Sequence, residues 1–332
     1  MFGYIVRRIV AGLLVLLVVS IATFALFFYG PADPALSYCP ETRCTPQRLH
    51  LIRENLGLDK PVTQQYATYM KGIVAGNTYD EGGIRLRCPA PCLGVSFKLR
   101  VNVTDFLMSR FPATLSLALG SAVIFLSLGL LLGVAAARSR GTPGDKLIVG
   151  ASLIINAFPY YLVALLAYLF LISQWGIFPE SGYFSPFATG GPIAWAKGLL
   201  LAWIILGLVY STSYARYSRG SMIEAMAEDF VRTARAKGLA QRRVVYKHAL
   251  RAAIVPVVTI FGLDVAYLLA GTTFTEQIFD IQGIGLTALQ AISTRDLPII
   301  SATVLIVATF VVAANLVVDL VYSIIDPRVR LA

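Results

Sequence analysis

The sequence predicts an all-α membrane protein: six transmembrane helices, with an extracytoplasmic domain between the first and second. Three observations carry that prediction. The 332 residues are 57% hydrophobic and 14% charged, where soluble domains run about 25% charged. Runs free of charge, apart from Asp264 and Asp319, lie near 9–28, 113–137, 147–173, 198–215, 252–274 and 299–325, and about 20 apolar residues cross a bilayer as a helix. They are too long and continuous for the weak ten-residue alternation of a β-barrel. The 28 Lys and Arg, behind a net charge of +10, fall in alternate loops. That distribution reports topology and removes the reason to expect a nucleic-acid partner.

Taken in order, the elements support one orientation. Arg7 and Arg8 precede span 1, Arg138, Arg140 and Lys146 follow span 2, nine Lys or Arg run from Arg216 to Arg251, and Arg328 and Arg330 close the chain. Residues 174–197 carry only Lys197 and residues 275–298 only Arg295 as basic side chains. Both termini are therefore expected in the cytoplasm. Residues 1–30 form the N-terminal helix; the run Ile9–Phe28 exceeds the 7–15 apolar residues of a signal peptide, so this span is expected to be retained.

Residues 31–111 turn polar and turn-rich, with helical patches at Arg48–Leu56 and Gln64–Val74, and read as a small extracytoplasmic domain. All four cysteines, Cys39, Cys44, Cys88 and Cys92, fall here, which argues for disulfides in an oxidising compartment. The short spacings favour Cys39 with Cys44 and Cys88 with Cys92; cross-pairing stays open, and the C-x4-C and C-x3-C spacings fit a structural zinc site poorly. Residues 112–326 form a five-helix core and 327–332 a cytoplasmic tail.

Within the spans, Pro159 and Pro256 should bend their helices. Asp264 and Asp319 are the ionisable residues inside apolar runs, where an acidic group is a functional candidate by default. Asp319 lies seven residues before Asp326, close enough to the cytoplasmic end for a structural pairing role. Asp264 is open to either an interhelical hydrogen bond or the lining of a path. Tyr160 and Tyr161, beside Pro159, could line a path or simply pack.

Enzyme signatures are missing. The chain has no G-x4-GK[ST] phosphate loop and no H-E-x-x-H, and its two histidines, His50 and His248, fall on opposite sides of the membrane. No metal site, cofactor or ATP hydrolysis is expected of this chain. The long cytoplasmic loop between spans 4 and 5 holds the clearest pattern instead. Met222, Met226, Phe230 and Ala234 recur every four residues beside Ile223, Ala227 and Val231, while Glu224, Glu228, Asp229, Arg232, Arg235 and Lys237 fill the other face. This predicts a helix over 222–238, acidic first and basic last as the helix dipole prefers, ended by Gly238. A helix lying on anionic lipid and a helix docking into a partner protein both fit that pattern.

Arg232-Thr-Ala-Arg-Ala-Lys-Gly238-Leu, followed after nine residues by His248-Ala-Leu-Arg251, resembles the coupling-helix motif of ABC-importer permeases, E-A-A-x3-G-x9-I-x-L-P. Arg232, Thr233 and Ala234 replace E-A-A, and His248, Leu250 and Arg251 replace I, L and P, as in the peptide and nickel branch. Leu56-Gly-Leu-Asp-Lys-Pro61, Phe111-Pro-Ala-Thr-Leu115, Pro179-Glu-Ser-Gly-Tyr183, Gly283-Ile-Gly-Leu286 and Asp326-Pro-Arg-Val-Arg330 extend the resemblance to dipeptide/oligopeptide permeases of the DppB type. Residues 37–46 and 79–92, which hold the cysteines, look like insertions. The resemblance implies a type I ABC importer permease fold in the cytoplasmic membrane of a prokaryote. It implies as partners a second homologous permease (DppC type), one or two ATPase subunits that bind ATP and Mg, an extracytoplasmic peptide-binding protein and membrane lipid. It further implies that Phe230, Arg232, Thr233, Ala234, Arg235, Lys237, Gly238 and His248 couple this chain to the ATPase. Cargo of the same branch also includes nickel complexes and glutathione. A proton-coupled secondary transporter, with Asp264 or Asp319 as proton carrier, is the rival class; it commonly shows internal repeats, and spans 1–3 and 4–6 show no self-similarity.

Overall fold

A computed structural model describes residues 2–29, 35, 45–56, 58–81, 84–96 and 98–325. Among the described residues, five helical stretches are long and apolar enough to cross a membrane: Ile5–Leu26, Val103–Arg138, Gly191–Ala227, Gln241–Leu269 and Leu297–Leu320. A sixth crossing exists only if the pair Pro143–Ala157 and Tyr160–Gln174, bent by 88°, counts as one. The third span expected over 147–173 is thus not one helix. Phe158, just before Pro159, is extended at φ −92 and ψ 136, because the proline ring disfavours helical geometry in the residue that precedes it.

The chain runs α1 (Phe2–Tyr29), α2 (Pro46–Leu56), α3 (Val62–Ala75), β1 (Asn77–Glu81), β2 (Ile84–Cys88), β3 (Val95–Ser96), β4 (Val101–Asn102) and α4 (Val103–Arg138). It continues through α5 (Pro143–Ala157), α6 (Tyr160–Ala167) with a π-helical end at Tyr168–Gln174, α7 (Gly191–Ala227) and α8 (Asp229–Ala236). A helical turn at Gln241–Arg243 and a π-helical stretch, Val244–Ala249, lead into α9 (Leu250–Gly271), α10 (Thr273–Ile278), α11 (Ile284–Thr294) and α12 (Leu297–Ile325). Two small antiparallel hairpins, β1–β2 and β3–β4, qualify the all-α expectation. Helix α4 starts at Val103, ahead of the charge-free run, and holds Pro112 internally. Helix α7 runs 12 residues past the apolar stretch ending at 215, about 18 Å at 1.5 Å per residue.

Two compact units divide the chain. One comprises Val6–Ala113 and Gly283–Val312. Here α3 lies on α1, with Tyr66 edge-on to Phe24 at 5.2 Å between ring centroids, and burial pushes the Tyr69 and Tyr79 phenols up. Cys88 and Cys92 form a disulfide with both residues buried against Val95. The chain beyond it is fastened by Thr104, whose hydroxyl donates to the Pro91 carbonyl at 2.7 Å and accepts the Leu93 N–H at 3.1 Å. Val103 and Leu107 then pack with Ile284, Ala291, Ile299, Ala302 and Ile306, while the Ser96 hydroxyl donates to Asp296. Cys39 and Cys44, the other expected pair, lie outside the described residues.

The second unit is built on Thr114–Gln282. Its central contact is α4 on α7. A Cβ at Gly129 would lie 2.2 Å from the Tyr214 Cβ, and one at Gly133 would lie 2.5 Å from the Ser218 Cβ and 2.7 Å from the Ala215 carbonyl oxygen. Gly120 lies against the Trp203 ring and Gly207 against Ile124. Lipid offers no hydrophobic drive between helices, so close approach through small residues supplies the dispersion energy.

Gly133→Val should force the backbones apart, since the Ala215 carbonyl and Arg219 amide cannot yield as a side-chain tip can. A loss of about 1–3 kcal/mol is expected from such overpacking. Gly150→Ala, with nothing within 4 Å of the new methyl, should be neutral or slightly stabilising. Melting temperatures of the detergent-solubilised protein check this, and equal values for the two variants would contradict it.

Candidate functional site

The end of α7 and the start of α9, with α8 between them, form the site the sequence marked. The structure corrects one boundary there: 222–238 is not one helix. Glu228 is extended at φ −66 and ψ 149, so Met222 and Met226 complete α7 and the expected coupling helix reduces to α8, Asp229–Ala236. The Glu228 carbonyl accepts the Val231 and Arg232 amides at 3.0 and 3.2 Å and so starts the new helix. Asp229 stands in its first turn and Arg235 in its last, each at the favourable end of the dipole.

The two faces of α8 have different surroundings. Val231 and Ala234 are buried in an apolar cluster with Val134 and Ala137 of α4, Met222 and Ala225 of α7, and Val244, Val245, Ala249 and Ala253 on the way into α9. Ala234 therefore packs against its own chain. Phe230, Arg232, Thr233, Arg235 and Lys237 are exposed, Phe230 by 44%. An aromatic ring held out of a helix whose other face is buried offers an apolar contact on a segment that also exposes Arg232, Arg235 and Lys237.

Gly238 follows at φ +72. Its N–H donates to the Arg235 carbonyl at 2.9 Å, and the Leu239 N–H donates to the Ala234 carbonyl at 3.4 Å, closing the helix end. A Cβ there would meet nothing within 4 Å, so glycine is required by backbone conformation and not by space. His248 is half-buried in the π-helical stretch. Beside it the Arg138 guanidinium stands 5.8 Å over the Tyr246 ring and donates to its hydroxyl at 3.3 Å.

One pairing at this end had no sequence signal beyond the charges themselves. Arg219 of α7 donates from Nε to Asp145 Oδ1 at 2.6 Å and from Nη2 to Oδ2 at 2.7 Å. Oδ2 also accepts the Gly141 N–H at 2.9 Å, so a buried carboxylate ties the α4–α5 turn to α7. The forked geometry fixes direction as well as energy.

Deeper in the membrane, Asp264 of α9 accepts the Tyr214 hydroxyl of α7 at 2.8 Å through Oδ2; of the two expected roles, the interhelical hydrogen bond is present. Phe125 is fully buried between Tyr210, Tyr214 and Phe261, with centroid distances of 5.6, 4.7 and 5.7 Å. Tyr160 is half-buried, and Tyr161 is exposed with its ring 5.9 Å from that of Phe274. Asp319 is half-buried in α12. Tyr214 and Trp203 were not singled out by sequence.

Residues 1–118 match the N-terminal part of binding-protein-dependent transport system membrane components, and residues 129–331 match the family described as binding-protein-dependent transport system inner membrane component. The chain is 33% identical to the dipeptide transport system permease protein DppB of Escherichia coli (strain K12), over 99% of each chain. It is 37% identical, over 99% of each, to the di/tripeptide transport system permease protein DppB of Pseudomonas aeruginosa (strain UCBPP-PA14). A solved structure of the MetNI methionine ABC transporter in inward-facing form superposes with a TM-score of 0.53 at 14% identity, covering 67% of this chain and 97% of that one. That last likeness concerns the fold.

The Asp145–Arg219 pair should behave as one unit. Asp145→Asn or Arg219→Met alone leaves a charge facing its lost partner and should lower the melting temperature, whereas the double variant should recover part of that loss. A double-mutant cycle that is additive would show the two groups to be independent.

Proposed function

This chain belongs to the family of binding-protein-dependent transport system inner membrane components, and from that premise we propose that it is one permease half of an ATP-driven importer of di- or oligopeptides. It is a multi-pass membrane permease of the ABC class. The rest of the reading follows from its chemistry. The chain hydrolyses nothing itself; ATPase subunits bind at the cytoplasmic face, a second permease completes the path, and a peptide-binding protein delivers cargo at the opposite face. Both termini lie in the cytoplasm of a prokaryotic cell. The peptide assignment is supported by relatives named for dipeptide and di/tripeptide transport, which favours it over nickel complexes or glutathione. Family membership also leaves the proton-coupled secondary transporter without support.

The observation that carries the mechanism is the position of α8. Its inner face shares one buried cluster with α4, α7 and the start of α9, so a force on its outer face reaches three membrane helices together. Closely packed apolar interiors resist compression and transmit such displacement. When the ATPases close on nucleotide, they would move Phe230, Arg232, Arg235 and Lys237, and the permease would rock between inward- and outward-open states. The Arg138–Tyr246 contact and the Asp145–Arg219 pair keep the same end stiff.

Gly238→Val tests the assignment in the purified complex. A β-branched residue held at positive φ costs about 1–2 kcal/mol, misplacing the end of α8 while the membrane helices stay packed. Peptide uptake should fall about tenfold or more, with basal ATP hydrolysis retained and its stimulation by loaded binding protein lost. Phe230→Asp should instead weaken ATPase association, because it places a charge in an apolar contact. The chain reconstituted without partners should take up no peptide. Normal uptake and stimulation in both variants would refute docking through α8 and favour its lipid-surface role.

A further inference from the structure

Asp264 is more than a partner for Tyr214. The Tyr214 hydroxyl occupies Oδ2, and Oδ1 accepts no hydrogen bond among the described residues. The residue is half-buried, seven residues before the end of α9 at Gly271, or about 10 Å along the helix. A carboxylate at such depth is costly against hydrocarbon and belongs on a protein interior or a water-filled path. Tyr267, one turn on and on the same face of α9, is 65% exposed. Tyr210 stands within electrostatic range of Asp264, Tyr267 and Tyr160. The carboxylate thus has the Tyr214 hydroxyl bonded to it and the Tyr210 phenol close by, both from α7, while Tyr160 of α6 and Tyr267 of α9 neighbour Tyr210.

That chemistry selects a ligand class. A single carboxylate oxygen with hydroxyls around it provides too few hard ligands for a divalent cation, and its charge repels anions. A primary ammonium fits: it has three donors to share among one carboxylate and neighbouring phenol oxygens, and tyrosine rings attract cations through their faces. We propose that Asp264, with these tyrosines, receives the N-terminal ammonium group of the peptide during its passage through the permease. The proposal deepens the importer reading and rests on it. It also accounts for Tyr214, which fully buries its ring to present one hydroxyl to the carboxylate and hold it in one orientation.

The test uses the complete transporter in proteoliposomes and labelled dialanine. Asp264→Asn keeps an acceptor for Tyr214 and removes the charge; Asp264→Glu keeps the charge and changes the length. Uptake should fall about tenfold in the Asn variant, the worth of one charge-assisted hydrogen bond, and less in the Glu variant, with ATP hydrolysis continuing in both. The reverse order, Asn tolerated and Glu not, would mark a packing role and overturn the proposal, as would wild-type uptake in the Asn variant. Loss confined to alanyl-lysine, with dialanine unaffected, would reassign the site to cargo side chains. Failure of the Asn variant to assemble would reassign it to a cation of the second permease. If the wild-type complex takes up no dialanine, the importer reading itself falls. Asp264 is then judged by a water-soluble carbodiimide with dialanine amide: coupling at Asp264 supports an ammonium-accessible carboxylate, and no coupling refutes it.

Discussion

The close approach of α4 to α7 is the contact on which the surroundings of α8 depend. Gly129 and Gly133 let the two backbones come near enough that a single methyl would collide with Tyr214 or Ser218. Immediately beyond that crossing, Val134 and Ala137 supply part of the seat for α8, Arg138 reaches Tyr246, and Arg219 reaches Asp145. Separating the helices would draw all of these apart together. The surface that α8 presents is therefore set by helix packing, not by the loop that bears it.

In the buried interior, polar groups contribute alongside packing because every donor left unpaired is costly. Thr114 and Thr272 both donate to Glu276, Asn156 donates to Thr212, and the Trp203 ring nitrogen donates to the Ser116 carbonyl. Individual bonds of this kind are worth about 0.6–2 kcal/mol. Their number matters more than any one of them, and they also fix which faces of α4, α7 and α10 meet. Tyr214 with Asp264 belongs to the same class but leaves one carboxylate oxygen uncommitted, which is why it reads as chemistry rather than as packing alone.

The hairpins β1–β2 and β3–β4 face the opposite problem. They are too small to hold a core of their own, so the disulfide, the Thr104 clasp and the Ser96–Asp296 bond replace buried area with covalent and polar ties. The Lys98 ammonium adds a bond to the Thr294 carbonyl. Residues distant in sequence thereby fasten the start of α4 to the segment between α11 and α12.

What the sequence settled alone was what local physics controls. Long apolar runs mark helices that lipid demands, Pro159 interrupts its span and Gly238 ends α8 because each acts on its own backbone. The α8 boundary was missed because apolar spacing of four continues through Glu228 without a break, and no residue there forbids helix. Only the tertiary structure decided that Val231 and Ala234 face inward while Phe230 faces out, and which charges meet. Tyr214 and Asp264 stand 50 residues apart, and Asp145 and Arg219 stand 74 apart. Such pairings depend on how helices cross, and crossing is decided by the fit of whole surfaces that no window of sequence contains.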